Sequence, residues 1–394
     1  MAENSIVIVG MSRTPMGGFQ GDFATIPAPI LGSTAIKGAM SQTNIDPKDI
    51  DQTYMGCVLP AGIGQAPARQ ASIGAGIPLS TPCTTVNKMC GSGMEAIILA
   101  HNAISAGAAN IIVAGGMESM SNSPYLLPKM RSGARLGHAE VKDHMFLDGL
   151  EDAYDKGKLM GAFAEKTAEK YNFSREAQDE FAITSLTRAN QAIGSGHFKN
   201  EISPVTVKTR KGDVVIDTDE QPGKAQLEKI PTLRPAFSKD GTVTAANSSS
   251  ISDGASAVIM MTANEANKRG LDPIARIVGH SVHAQEPNWF TTAPVGAMKK
   301  LYEKTGWKDE DVDLYEINEA FAVVTMAAMH DLNISHDKVN VHGGACALGH
   351  PVGSSGSRIL ITLIAALKTH GKKRGIASLC IGGGEATAVA VEVL

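Results

Sequence analysis

"CGSGMEAIILAHNAISAGAANIIVAGGMES", residues 90–119, runs from a cysteine through a Ser-Gly turn, a helix, a short loop and an apolar strand to Gly-Gly and Glu. Residues 353–386, "GSSGSRILITLIAALKTHGKKRGIASLCIGGGEA", pass through the same succession. A second pair keeps a similar separation: "NIDPKDIDQTYMGCV" at 44–58 and "GWKDEDVDLYEINEA" at 306–320 each read as a capped acidic turn followed by a strand. Self-similarity at an offset that stays near 265 residues marks a tandem duplication. Strand patterns such as "SIVIVG" alternate with Ala-rich helical stretches, which predicts an α/β fold with helices covering the sheet faces. Laid over one another, the repeats set Cys380 against Ala114 or Gly115.

The texture changes between the repeats. Residues 121–248 hold "SPYLLPKMRSGARLGHAEVKDHM", a helix expected over 174–193 and the charged strand pattern "VTVKTRKGDVVID". A polar, Gly- and Pro-bearing segment of that size predicts an excursion over the core, as a lid or an assembly element. The strand "DGASAVIMMT", 253–262, then closes the first half. The expected division is 1–120 plus 249–270 for the N-terminal half, 121–248 for an inserted loop domain, and 271–394 for the C-terminal half.

A chain of 394 residues with 43% hydrophobic and 19% charged side chains has the composition of an ordinary globular protein with a substantial core. Its 36 basic and 40 acidic residues give a formal charge of -4, so no global electrostatic footprint for nucleic acid or an anionic membrane exists. "MAENSIVIVG" lacks the basic start of a signal peptide, and no run reaches the roughly 18 apolar residues of a membrane span. The cytoplasm is the expected compartment. The five cysteines, at 57, 83, 90, 346 and 380, are odd in number and show no C-x-x-C spacing. That argues against a disulfide framework, a zinc or other metal site, and a thiol redox protein.

Several residues could carry chemistry. Cys90 precedes Gly91-Ser92-Gly93 and an expected helix from Met94 to Ala106, which puts it at a helix N-terminus. Unpaired amides and the positive dipole end there favour a thiolate and should lower the thiol pKa, making Cys90 a candidate nucleophile. The competing reading is a small buried residue in a tight turn. His350 stands before Pro351 and a second helix, in roughly the place Cys90 occupies in the first repeat. Pseudo-twofold symmetry could bring the two helix starts together, as cysteine nucleophiles with an imidazole base require. Cys380 follows an apolar strand and precedes three glycines with approachable amides; it is either a buried strand end or an acid/base. Asn318 in "EINEAFA" either caps the following helix or fixes a water or a substrate carbonyl. Cys346, His342 and the basic runs at 207–213 and 371–375 read as packing residues and solvated turns.

"NKMCGSG" around Cys90, "NEAFA" at 318–322, "GGACALGHPVGSSGSR" at 343–358, "CIGGG" at 380–384 and "GGMESMS" at 115–121, in that order, resemble the signature blocks of the thiolases. The resemblance runs from Ile6 to the C-terminus. It implies the thiolase fold, two βαβαβαββ halves in a five-layer αβαβα sandwich with a loop domain inserted in the first half. It implies Cys90 as the nucleophile that takes an acyl group from acyl-CoA, His350 as acceptor of its proton, and Cys380 as the base that deprotonates acetyl-CoA for a Claisen condensation. Oxyanion sites are implied at His350 with a water on Asn318, and at the amides of Cys90 and Gly382.

For coenzyme A, the resemblance points to Ser249, Ala245, Phe237 and Phe321, with Lys224 as the candidate near the phosphates. Leu159, beside Met160, stands where many short-chain members carry histidine, and Phe290 where some carry methionine. Both should touch the pantetheine or acyl end. Coenzyme A is expected as substrate and product, with no permanently bound cofactor. Acyl-CoA substrates are the expected partners, in a homotetramer of tight dimers whose tetramer loop lies near 125–142. The activity implied is the reversible condensation of two acetyl-CoA to acetoacetyl-CoA. A broader 3-ketoacyl-CoA thiolase of β-oxidation and a non-catalytic acyl-CoA or lipid carrier stand as alternatives. A carrier would be expected to have lost Cys90, His350 or Cys380.

Overall fold

The computed structural model describes residues 3–394. The chain opens with β1 (Ile6–Arg13), α1 (Ala28–Ser41), β2 (Gln52–Gly56), α2 (Pro67–Gly74), β3 (Cys83–Val86), α3 (Ser92–Ser105) and β4 (Ile112–Ser119). An excursion carrying α4 (Met160–Tyr171), α5 (Arg175–Gly194) and a hairpin of Val205–Thr209 with Gly212–Ile216 follows, before β5 (Ser252–Thr262) returns to the core. The second half comprises β6 (Ala275–Ala284), α6 (Ala293–Thr305), β7 (Leu314–Ile317), α7 (Ala322–Leu332), α8 (Val352–Thr369), β8 (Arg374–Ile381) and β9 (Glu385–Val393). The core strands form one continuous path in the order β7-β8-β9-β6-β1-β5-β4-β2-β3.

Three apolar clusters define five layers. Leu31, Ala35 and Ile36 of α1 and Ala68 and Ala71 of α2 pack on one face of the first-half strands. The central cluster joins Ile97 and Ile98 of α3 and Ile359 to Leu367 of α8 to the inner faces of both halves. Met298 and Leu301 of α6 and Ala328 of α7 cover the far face of the second half, against Ile376, Ala388 and Ala390. Removing this surface from water is the main force holding the layers together. This is the thiolase layering expected from the sequence.

The duplication is visible in the ladder registers. β1 pairs β5 with a register shift between Ile8 and Gly10, and β6 pairs β9 with a shift between Ile277 and Gly279. Equivalent strands β1 and β6 meet antiparallel, with Val7 opposite Arg276. By the bulge equivalence these are each other's counterparts, so the pseudo-twofold axis passes through that pair. The registers also correct the sequence superposition of Cys380. Cys380 lies opposite Ala386 and Met117 opposite Ala255, so Cys380 matches Met117 and not Ala114 or Gly115.

The second half departs from the βαβαβαββ pattern at one place. Where β3 runs beside β2, its counterpart is a single parallel bridge between Tyr315 and Val339. The side chain of Asn340 supplies what the missing ladder would. Its Oδ1 accepts the Ile317 N–H at 2.8 Å, and its Nδ2 donates to the Ile317 carbonyl at 2.8 Å.

α8 is buried from Val352 to Leu367, polar residues included. Its serines pair with Ser256, whose Oγ lies 2.8 Å from Ser354 Oγ and 2.6 Å from Ser357 Oγ. Arg358 meets Glu316 at 3.1 Å. The first turns of α3 and α8 cross at near-contact distance: a β-carbon on Gly356 would sit 2.4 Å from the Met94 nitrogen, and one on Gly93 would sit 2.9 Å from the Ser357 nitrogen. β4 closes on the same crossing: a β-carbon on Gly116 would sit 2.0 Å from the Gly353 carbonyl oxygen, and one on Gly353 would sit 2.6 Å from the Met117 oxygen. The excursion is tied to the core by Arg13, fully buried, which donates to Asp219 at 2.7 and 2.9 Å and to Glu201. Losing one partner of such a group leaves an uncompensated buried charge.

Gly116→Ala is expected to lower stability by about 1–3 kcal/mol or more, because the added methyl meets backbone that cannot rotate away. Chemical denaturation should show it as a reduced midpoint. A midpoint equal to that of the unaltered protein would mean the crossing is looser than described.

Candidate functional site

Cys90 sits just ahead of α3, whose N-cap is Gly91. The turn before it is held in an uncommon shape. Met89 has φ of 47°, and Asn87 Oδ1 accepts its N–H at 3.0 Å. Ser92 Oγ accepts the Lys88 N–H at 2.9 Å and donates to the Met89 carbonyl at 2.6 Å. A left-handed non-glycine residue persists only where its surroundings enforce it, and such residues gather at functional sites. Here the bend sets the sulfur over the mouth of a cavity. An ion pair between Lys88 and Glu385, across the two halves, braces the same turn.

The expectation of a lowered Cys90 pKa does not hold. Burial pushes the thiol up to about 11, aided by the nearby charge of Glu118, while the amides of Gly382 and of Cys90 itself pull it down. The helix terminus is present as expected, but desolvation outweighs it. Cys90 therefore rests as a thiol and needs a base at the moment of attack.

His350 supplies that base. It is buried, and its pKa falls to about 3 through desolvation first and the Arg358 charge second. The imidazole is therefore neutral at physiological pH. Ser355 Oγ donates to the Pro351 carbonyl at 3.1 Å and meets His350 Nδ1. The arrangement that serves both contacts has Ser355 accepting from Nδ1–H while it donates to Pro351, which leaves Nε2 bare. Asn318 Nδ2 approaches that Nε2 at 3.5 Å.

Asn318 does not cap the next helix: α7 starts at Ala322 with Phe321 at its N-cap position. Asn318 Oδ1 is buried without a protein partner, which marks it as an acceptor available to something bound. Cys380 is fully buried at the end of β8, and its thiol is raised well above the ordinary range by burial and then by proximity to Cys90.

A cavity of about 360 Å³ gathers these groups. Cys90, His350, Cys380 and Gly382 line it, as do Ser249, Ala245, Phe237, Phe321, Leu159, Met160 and Phe290. Phe146, Gly149, Leu150 and Ser250 also line it and were not anticipated; nothing in their local sequence distinguishes them from a covering loop. Ser355 was missed too; it is one of three serines in the first two turns of α8, and only the fold shows which of them meets His350. Lys224, expected near the phosphates rather than at the reacting end, lies outside this cavity. It pairs with Glu220, whose carboxylate also accepts the N–H groups of Gly18 and Asp22. It lines an adjoining cavity that shares Ala245 and Ser250 with the first and also contains Lys229 and Cys346. Cys346 thus stands outside the catalytic cavity, its Sγ 3.7 Å from the Glu319 carbonyl.

Two family models match this chain: "Thiolase, N-terminal domain" over residues 6–264 and "Thiolase, C-terminal domain" over 271–393. The acetyl-CoA acetyltransferase of Chromobacterium violaceum is 49% identical over 389 residues, 98% of this chain and 99% of that one. The acetyl-CoA acetyltransferase of Schizosaccharomyces pombe is 47% identical over 394 residues, covering 100% of both. A crystal structure of the Bacillus anthracis acetyl-CoA acetyltransferase superposes with a TM-score of 0.97 at 40% identity over 100% of both chains.

Ser355→Ala removes the acceptor at His350 Nδ1 and frees the ring to carry its proton on Nε2. Turnover is expected to fall by roughly tenfold with the Michaelis constant unchanged, part of the roughly 10²- to 10⁴-fold that a positioned general base contributes. Steady-state kinetics with acetyl-CoA or acetoacetyl-CoA check this; an unchanged kcat would mean Ser355 does not set the tautomer.

Proposed function

We propose, since this chain belongs to the thiolase family, that it is an acetyl-CoA C-acetyltransferase, catalysing the reversible condensation of two acetyl-CoA to acetoacetyl-CoA and CoA. The observation that carries this is the convergence of two thiols, a neutral imidazole and two amides on one cavity. The chain is also 47–49% identical, over nearly its whole length, to proteins named acetyl-CoA acetyltransferase. All three side chains whose loss would favour a carrier are in place. Neither a carrier nor a broader β-oxidation enzyme is favoured.

In our reading, His350 Nε2 takes the proton of Cys90 as the sulfur attacks the thioester carbonyl. The C–S bond to CoA breaks, and the departing CoA thiolate takes the proton of Cys380. The acetyl group is left on Cys90, with Cys380 as thiolate and His350 as imidazolium. Burial makes the Cys380 thiolate a strong base, which suits a weakly acidic methyl C–H. Cys380 then removes a proton from the second acetyl-CoA while the His350 imidazolium, with a water on Asn318, holds the enolate oxygen. The carbanion attacks the acetyl carbonyl, the C–S bond to Cys90 breaks, and Cys90 recovers its proton from His350. The amides of Cys90 and Gly382 stabilise the tetrahedral oxyanions in both steps.

We assign the excursion, 121–248, as the cover over coenzyme A, with 1–120 plus 249–270 and 271–394 as the catalytic halves. Ser249, Ala245, Phe237 and Phe321 would hold the pantetheine arm, and Leu159, Met160 and Phe290 would bound its reacting end. For the phosphates, the commitment of Lys224 to Glu220 favours Lys229 in its place. A reducing compartment, which we take to be the cytoplasm, suits five free cysteines. No described helix is long and apolar enough to cross a membrane.

The exposure of Tyr125, Leu127, Met130, Leu136 and Val141 supports a homotetramer assembled through that loop. Size-exclusion chromatography with light scattering is expected to give four chains, and a stable monomer would sink this assignment.

Intact-protein mass spectrometry after mixing with acetyl-CoA should show one added acetyl group, absent in Cys90→Ala and discharged by free CoA. Cys380→Ser should still take up the acetyl group but form no acetoacetyl-CoA. Labelling of Cys90→Ala to the same extent would overturn the nucleophile.

A further inference from the structure

We propose that Glu118 is a positioning residue for this reaction: a buried carboxylate that clamps the start of α8, and with it His350, to the 57–59 turn and the end of β4. The proposal rests on the reading of Cys90 and His350 given above.

Glu118 lies at the end of β4 and is fully buried. Its Oε2 accepts the N–H of Val58 at 2.9 Å and of Gly353 at 2.9 Å. Its Oε1 accepts the N–H of Leu59 at 3.1 Å and faces Cys57 Sγ at 3.6 Å. One carboxylate thus joins three segments: β4, the 57–59 turn and the second residue of α8. Every donor is neutral, and among the described residues no lysine or arginine forms an ion pair with it. The positive end of α8 favours a negative charge at this point. Gly353 is three residues after His350, and Val352 between them lines the cavity. A shift of the helix start would carry His350 with it.

The fold itself does not require a carboxylate here. Glu118 stands opposite Gly254 and Ile381 opposite Glu385, so Ile381 is its counterpart across the pseudo-twofold axis. Ile381 lies against the start of α3, its Cδ1 2.4 Å from where a β-carbon on Gly91 would be. An aliphatic side chain fills that place in one half, so packing is satisfied without charge. A buried carboxylate with only neutral donors is costly to desolvate, and its carboxyl is raised to about 7 by burial.

Glu118→Gln keeps the shape, removes the charge and turns one N–H₂ toward amide donors. Glu118→Asp keeps the charge but cannot span the three segments. We expect kcat to fall on the order of 10²-fold in both, with the KM for acetyl-CoA within about twofold, as misplacement of the base dictates. Acetylation of the unaltered protein is the reference; if that fails, the nucleophile reading fails and not this one. With acetylation intact, either of two results overturns the proposal. One is kcat within about threefold of the unaltered value in both variants. The other is failure of both variants to fold, which would make Glu118 structural.

Discussion

The first turns of α3 and α8 cross with backbone against backbone, and the site exists because of that crossing. Cys90 ends the loop that enters α3, and His350 sits just ahead of α8. Glycine at 116 and 353 lets the strand and the helix close to a distance that one extra methyl on either would forbid. Two helix N-termini brought this near each other place like partial charges side by side. Glu118 answers one of them from the opposite half, and the sulfur of Cys90, receiving the amides of Gly382 and Cys90, answers the other. The central apolar cluster surrounds the crossing on all sides, so its geometry is not free to relax.

On this symmetric scaffold the chemistry lies in what differs between the halves. A thiol precedes one central helix and an imidazole the other. A carboxylate ends one strand, where an isoleucine stands at the matching position in the other. Burial then sets the protonation states: the thiols are pushed up and the imidazole down, so the three reacting groups, Cys90, His350 and Cys380, are neutral at rest. Neutral reacting groups in a desolvated pocket make every charge that appears on them during reaction a transient one. Fixed dipoles oriented toward such charges do more there than in water.

The duplication was legible in the sequence because it is written in local features, a turn, a helix period and a strand, repeated at nearly constant distance. The cavity-lining residues came with the family blocks. What depends on tertiary surroundings was not legible. Cys90 at a helix start promised a depressed pKa, and only the folded pocket reveals how fully the sulfur is withdrawn from water. Asn318 was ambiguous because the start of the next helix was uncertain; with α7 beginning at Ala322, the capping reading loses its geometry. Lys224 was placed near the phosphates by the resemblance alone; its pairing with Glu220, whose carboxylate also accepts two backbone amides, is a tertiary contact that local sequence does not show. The pairing of Cys380 was misjudged because an approximate offset near 265 was carried to the strand; the ladder registers fix it at 263, since Cys380 matches Met117.

The same hairpin connection is treated in opposite ways by the two halves. Between β8 and β9 it is the tight turn 382–384, and between β4 and β5 it opens into the whole excursion. The tight turn presents the Gly382 amide to the sulfur; the open one presents Leu159, Met160 and Phe237 to whatever enters. Bond-making and admission are therefore encoded in separate stretches of chain that meet at the cavity. Substitutions in the cover can accumulate and redefine the guest, generation after generation, while the reactive centre beneath is inherited unaltered.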